Sequence, residues 1–337
     1  MRNYSIAMMK GDGVGPEVSQ AALAVLDAVS ERFSINFEII DAPAGDVMLK
    51  KIGQALPKDT ISIVRDTDAC LKGPVGESAM DVIVRLRQMF DLYANIRPAK
   101  SYPTIRALRP DVDLVIVREN TEDLYKGIEF DLGDSAIAVR VISRKASERI
   151  AEHAFKTAAL RRKSVVAVHK ANVMRKTCGL FAKVSREVSQ KHEGIVFTEM
   201  YVDACAMNLI RNPQDFDVIL TMNMFGDILS DEAAQVVGGL GLAPSANIGE
   251  KQALFEPVHG AAPDIAGKGI ANPIATILSV KMMLEWFAMS EKDVTCGKAG
   301  EAVERAVVSA LKKGVKTSEL GGKAGTEEVG NAIANSL

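Results

Sequence analysis

Short apolar runs in this chain alternate with segments whose apolar residues recur every three or four positions, and that alternation limits the fold more than any other feature. Tyr4 to Met9 reads as a buried strand, followed by the turn Gly11-Asp12-Gly13-Val14-Gly15. Pro16 suits the first turn of a helix. Val18, Ala21, Ala22, Val25, Leu26 and Val29 then give that helix one apolar face. Phe37 to Ile40 reads as the next strand, and Thr60 to Arg65 leads toward an apolar stretch at Ala69 to Leu71. Leu114 to Val117, Ala136 to Ile142 and Val165 to Val168 are short β-branched runs, with helical character from Lys145 to Leu160. Asp217 to Leu220 predicts another strand and Asp227 to Val237 another helix. A long apolar helix spans Ala271 to Phe287, behind Asn272-Pro273, and Glu301 to Leu311 predicts a last, amphipathic one. With 337 residues and no repeat or low-complexity segment, the chain reads as mixed α/β with two intimately joined domains.

Charge removes several classes of function. Lys plus Arg number 41 against 43 Asp plus Glu, a net charge of −2, so there is no general basic excess to hold nucleic acid. No apolar run approaches the length of a membrane span, and Ile6 to Met9 is too short for a secretory signal. Cys70, Cys178, Cys205 and Cys296 lie far apart. Single thiols in a reducing cytoplasm are therefore expected, rather than disulfides or a zinc site.

The Gly-rich turn is not a dinucleotide fingerprint, because its third glycine comes one residue early and Pro16 follows. It fits either a tight strand-to-helix turn or a contact to a phosphate or ribose. Arg85, Arg87, Arg97, Arg106, Arg109 and Arg118 fall within a short span. Guanidinium forks grip carboxylates bidentately, so converging arginines would suit a dicarboxylate, although arginines are also ordinary surface residues. Asp227 and Asp231 stand four apart, on one helix face. They read either as oxygen ligands for Mg²⁺ or Mn²⁺ or as a solvated face near a helix start. Tyr125, His169 and Lys170 are candidate proton carriers. Lys170 follows an apolar strand, where burial would lower its pKa toward the range of a general base. His259 is either a cofactor contact or a structural hydrogen-bonding group.

In order along the chain, six blocks of residues resemble the β-decarboxylating dehydrogenases that act on isopropylmalate, isocitrate, homoisocitrate and tartrate. The blocks are Gly11 to Glu17, Leu86-Arg87 with Ala94 to Pro98, Val117 to Glu122, His169 to Val173, Asn223 with Gly226 to Asp231, and Glu256 to Gly260 with Asn272-Pro273. The resemblance implies an α/β fold of that family, not Rossmann, with two domains, a central cleft and an arm that clasps a twin subunit. It places a cofactor-binding domain at residues 1–93 plus 239–337. A substrate, metal and dimerisation domain falls at 94–238.

By the same resemblance, Arg87, Arg97 and Arg118 would bind the malate carboxylates of a 2-hydroxy dicarboxylate. Asp227 and Asp231, with Asp203 from one subunit or the other, would hold Mg²⁺ or Mn²⁺. Lys170 would be the base, serving the partner's site, and Tyr125 the acid that protonates the enol carbon. His259, Gly260, Ala262, Asp264, Ile265 and Asn272 would line the adenosine site. Asp264 favours NAD, because a carboxylate accepts from ribose hydroxyls and repels a 2′-phosphate. The implied state is a cytoplasmic homodimer with shared sites, and nothing in the sequence separates dimers from tetramers.

Substrate choice rests on the segment before Arg87. Ile83 and Val84 offer an apolar pocket, and Asp81 there would repel a third carboxylate. Burying an isopropyl group is worth roughly 2 kcal/mol, which favours 3-isopropylmalate, as does a loop, Gly73 to Ala79, similar to archaeal isopropylmalate enzymes. Asn120-Thr121-Glu122-Asp123 instead resembles the isocitrate and homoisocitrate pattern, with Asp123 where many relatives have glycine. Ser78 could serve a carboxylate if the loop alignment slips. A non-catalytic regulatory subunit of a heteromeric isocitrate dehydrogenase is disfavoured, because Tyr125, Lys170, Asp203, Asp227 and Asp231 are all present. A phosphotransferase is disfavoured by the lack of a Gly-Lys-Ser/Thr loop.

Overall fold

The computed structural model describes residues 2–337. In chain order its strands are β1 (Asn3–Met9), β2 (Asn36–Asp41), β3 (Ala69–Lys72), β4 (Ala94–Lys100), β5 (Asp113–Glu119), β6 (Glu129–Asp131), β7 (Ala136–Ala138), β8 (Ser164–His169), β9 (Val196–Tyr201), β10 (Val218–Thr221), β11 (Pro244–Ile248) and β12 (Ala253–Pro257). The helices are α1 (Gly15–Phe33), α2 (Asp46–Ile52), α3 (Lys58–Asp66), α4 (Asp81–Met89), α5 (Arg144–Ala159), α6 (Thr177–Ser189), α7 (Val202–Arg211), α8 (Asn223–Val237), α9 (Ile274–Ser290), α10 (Val294–Lys312) and α11 (Thr326–Ala334).

Ten strands form one mixed sheet in the order β2-β1-β3-β12-β11-β4-β5-β10-β8-β9. Both wings are parallel, and β11 and β4 run antiparallel to their neighbours at the centre. One wing therefore draws on both ends of the sequence, because β11 and β12 return to lie between β3 and β4. Strands β3 and β10 are buried at every residue. Burial on both faces favours continuous apolar runs, as at Ala69 to Leu71 and Val218 to Leu220, with Lys72 and Thr221 buried at the strand ends. Edge strands β2 and β9 are exposed or half-buried at every residue instead.

Helices cover both faces. Pro16 sits in the first turn of α1, whose buried side is the predicted stripe. Helix α9 is apolar almost all round and is buried among β11, β12 and α10. Its Phe287 stacks on Tyr4 with ring centroids 4.1 Å apart. Ser143 caps α5, its hydroxyl accepting from the Ala146 amide, and Asp293 caps α10 through the amides of Thr295 and Cys296.

Two sequence expectations change. Thr60 to Arg65, to which the sequence pattern assigns no element, lies in α3, with Thr60, Ile61 and Val64 buried at helical spacing. Of Ala136 to Ile142, only β7 is a strand, and it pairs with β6 in an exposed two-stranded ribbon. Helix α8 begins one turn before Asp227, so that residue does not cap it.

His153 on α5 stands edge-on to Tyr93, and burial, helped by Lys156, lowers its pKa to about 4. The unfolded chain takes up this proton near pH 6.5, before the folded chain does. Its contribution is therefore complete above that pH and declines as pH falls toward 4, by up to about 3 kcal/mol. Urea denaturation at pH 7 and pH 4.5 should show a smaller loss for His153→Phe than for the parent, and equal losses would refute this assignment.

Candidate active site

Three arginines reach one place from three elements: Arg87 from α4, Arg97 from β4 and Arg118 from β5. Adjacency of β4 and β5 brings two of them together. All three are buried, Arg118 completely. Gly226 makes room for the last, since a Cβ at that position would fall 2.6 Å from the Arg118 Cγ.

Asp227 is the shared counter-ion. Arg118 donates to its Oδ1 and Tyr125 donates to its Oδ2, while Arg97 Nη1 lies 3.2 Å from Oδ1. Arg97 also donates to Ser230 Oγ at 2.8 Å and lies 3.4 Å from Asp231 Oδ1. Arg118 Nη2 donates to Asn223 Oδ1 at 2.7 Å. Burial would raise the Asp227 pKa, but Arg118 and Arg97 outweigh it and hold the carboxylate ionised. The Asp231 pKa moves the other way, raised by burial and by Asp227. Burial, then the bond to Asp227, raises the Tyr125 phenol. Burial and the other two arginines push the Arg118 guanidinium down.

Arg87 is anchored from behind. Its Nε donates to Asn247 Oδ1 at 2.9 Å, and its Nη2 is 3.3 Å from Glu256 Oε1. Lys72 Nζ donates to the other Glu256 oxygen at 2.8 Å. Burial opposes the charge on Glu256, yet Lys72 and Arg87 hold its pKa at about 2. Asn95 and Asn120 complete this buried network through Asn247. Neither Lys72 nor Asn247 is distinguishable in the sequence from a surface residue, and Glu256 is marked only by its block.

Ile83 and Val84 lie half-buried on α4 beside the face that carries Arg87. Asp81 does not join them. With Arg85 and Met89, at four-residue spacing, it lines a separate groove of about 870 Å³ together with Ser78. Asp81 thus faces away from the arginines and cannot screen a third carboxylate, which corrects the expectation from sequence.

Lys170 and Asp203 form a pair of their own, Nζ to Oδ1 2.6 Å. The Lys170 side chain is 24% exposed rather than buried, because it ends β8 at the rim and turns toward the first turn of α7. Among the described residues, no three Asp, Glu, His or Cys side chains assemble as a metal cage. Asp227 and Asp231 are hard oxygen donors one helical turn apart. Both carboxylates are partly open to the cleft, and hard oxygen donors at this spacing fit Mg²⁺ or Mn²⁺.

The segment carrying His259, Gly260, Ala262, Asp264 and Ile265 packs on the Gly-rich turn. Val14 donates to the Ala261 carbonyl at 2.8 Å, and Ala262 and Ile265 lie against Val14, Val18 and Ala271. Glu17 accepts from the amides of Gly267 and Gly269. Asp12 accepts from the amides of Asp46, Val47 and Gly76. The turn is therefore a junction between loops. His259 Nε2 and Asn272 Nδ2 are buried without a partner, and burial keeps His259 neutral by lowering its pKa. Two orphaned polar atoms beside a ready-made loop fit a nucleoside.

A model of the family described as isocitrate/isopropylmalate dehydrogenase matches residues 5–333. The chain belongs to that family. Among its relatives, the 3-isopropylmalate dehydrogenase of Saccharolobus solfataricus is 51% identical over 98% of both chains. The homoisocitrate dehydrogenase of Methanocaldococcus jannaschii is 47% identical over 98% of this chain and 96% of its own. The crystal structure of isocitrate dehydrogenase from Methylococcus capsulatus superposes with a TM-score of 0.92 at 42% identity, covering 99% of each chain. The family assignment agrees with the mixed sheet and with a Gly-rich turn that is not of the Rossmann type.

The buried Lys72–Glu256–Arg87 chain makes a stability prediction. Lys72→Met leaves Glu256 with Arg87 as its one cation and should cost about 3 kcal/mol in urea denaturation, and adding Glu256→Gln strips the buried Arg87 of its rear anion and should recover none of that loss. A double variant restored to parental stability would contradict this account.

Proposed function

We propose that the chain catalyses NAD-dependent oxidative decarboxylation of 3-isopropylmalate to 4-methyl-2-oxopentanoate and carbon dioxide, in leucine synthesis. The convergence of Arg87, Arg97 and Arg118, with the apolar Ile83 and Val84 beside Arg87, carries the reading. Guanidinium forks take the two malate carboxylates, and the aliphatic pair takes the isopropyl group. Lys170, contributed by a second copy, takes the hydroxyl proton as the neighbouring C–H gives up its hydride. The β-keto acid formed then loses carbon dioxide, and Tyr125 delivers a proton to the enol carbon. When bound, NAD supplies the hydride acceptor and Mg²⁺ or Mn²⁺ supplies Lewis-acid stabilisation of the enolate oxygen. Asp227 and Asp231, with Asp203 of one subunit or the other, would hold the metal, and Asp264 would accept from the adenosine ribose.

The separation of Lys170–Asp203 from Asp227–Asp231 within one chain supports shared sites in a homodimer. So does the apolar surface left uncovered. Met207 and Ile210 on α7 and Ile228 on α8 are exposed, as are Phe130 and Ile137 on the β6–β7 arm. Residues 1–93 with 239–337 would form the cofactor lobe and 94–238 the other. All four cysteines are buried and unpaired, and no helix among the described residues is long and apolar enough to cross a membrane, which suits a cytoplasmic enzyme.

The run that resembles the isocitrate pattern has a structural explanation. Asn120 is buried and donates to the Leu92 carbonyl and to Asn247. Thr121 and Glu122 donate backbone amides to Glu119. These donors are already engaged in holding the loop. NADH formation with Mg²⁺ should therefore show kcat/KM at least tenfold higher for 3-isopropylmalate than for isocitrate or homoisocitrate, a gap of about 1.4 kcal/mol. A preference for either tricarboxylate would overturn the substrate assignment.

A further inference from the structure

We propose that Asp123 is a positioning residue that sets the proton donor Tyr125 against Asp227 and ties both to the base of the projecting arm. The proposal rests on the reading of Tyr125 as the acid. Asp123 has φ +71° and ψ −149°, a region that glycine enters freely and that strains a side-chain-bearing residue. Backbone geometry alone would thus be met better by glycine, so the carboxylate must contribute something that glycine cannot.

Its contacts show what that is. Asp123 is fully buried, and its carboxylate is saturated. Oδ1 accepts from the Leu124 amide at 2.9 Å, opening the single turn that carries Tyr125, and lies 2.6 Å from Arg140 Nε. Oδ2 accepts from Arg140 Nη2 at 2.8 Å and from the Met224 amide at 3.1 Å, in the first turn of α8. The Asp123 amide donates to the Val141 carbonyl at 2.9 Å. One residue therefore joins the turn bearing Tyr125, the helix bearing Asp227 and Asp231, and the segment that returns from the arm. Arg140 is held in turn, its guanidinium 4.5 Å from the Phe225 ring centroid and donating to Met174 Sδ. Bidentate pairing of this kind fixes orientation as well as distance. The Tyr125–Asp227 contact is thus set from the far side of the loop, by a carboxylate that bonds directly to none of Arg87, Arg97, Arg118, Tyr125 and Asp227.

The test is a double-variant cycle on the full enzyme, with rates referred to folded protein. Asp123→Asn keeps the size but breaks the bidentate clamp, and Asp123→Gly relaxes the backbone and removes the carboxylate. The glycine variant guards against a misfolded asparagine one. Each should lower kcat at least tenfold while KM for the hydroxy acid and for NAD stays within threefold, a split that general loosening would not give. In a Tyr125→Phe background, Asp123→Asn should lower kcat by less than a further threefold. Near-parental kcat in both single variants would overturn the positioning role. So would a full-sized Asp123 effect in the absence of the tyrosine hydroxyl. Near-parental kcat for Tyr125→Phe alone would instead overturn the acid assignment and, with it, this proposal.

Discussion

Everything in the site depends on keeping three buried guanidinium groups close together. Burial and mutual repulsion both act against Arg87, Arg97 and Arg118, and arginine cannot escape by losing its proton as a buried lysine would. The chain answers with anions placed on both sides. Glu256, fixed by Lys72, stands behind Arg87, and Asp227 stands before Arg97 and Arg118. The rear anion is sealed in the sheet, whereas Asp227 is partly open to the cleft. A cluster still rich in positive charge on its open side is built to accept further carboxylates there.

That requirement explains the unusual centre of the sheet. Buried strands are ordinarily apolar, yet β4, β11 and β12 bury Asn95, Ser245, Asn247 and Glu256 at the antiparallel junction between the parallel wings. Asn247 accepts from Arg87, Asn95 and Asn120, and donates to Glu256. Because its partners lie on a helix, two strands and a loop, the network holds the register of the strands that aim the arginines. A half-satisfied version would be costly, so the parts are interdependent.

The same polar centre decided what could be read from the sequence. Much of the outer wings was legible, since β1, β5, β8 and β10 carry apolar runs, α1, α5 and α10 carry helical spacing, and α9 shows as one long apolar run. Strands β11 and β12 were not, because Ser245, Asn247 and Glu256 interrupt any apolar pattern. Arg118 was recognisable from its place at the end of an apolar strand, and it is fully buried. Asp81 was misread because its distance from Arg87 in sequence hides a helical phase that turns it about 120° around α4, onto the exposed face. Lys170 followed a buried strand but emerges at the rim beside Asp203, a position that only the turn after β8 reveals.

The separation of Lys170 and Asp203 from Asp227 and Asp231 makes the shared site the central claim, and complementation tests it most directly. Lys170→Met and Asp227→Asn should each be inactive alone. In a mixed dimer, an isologous arrangement puts both changes in one site and leaves the other intact. Refolding the two variants together should therefore restore roughly a quarter of the parental activity, as random pairing of isologous dimers requires. A mixture no more active than either variant alone would show that each site is built within one chain, and would contradict the account.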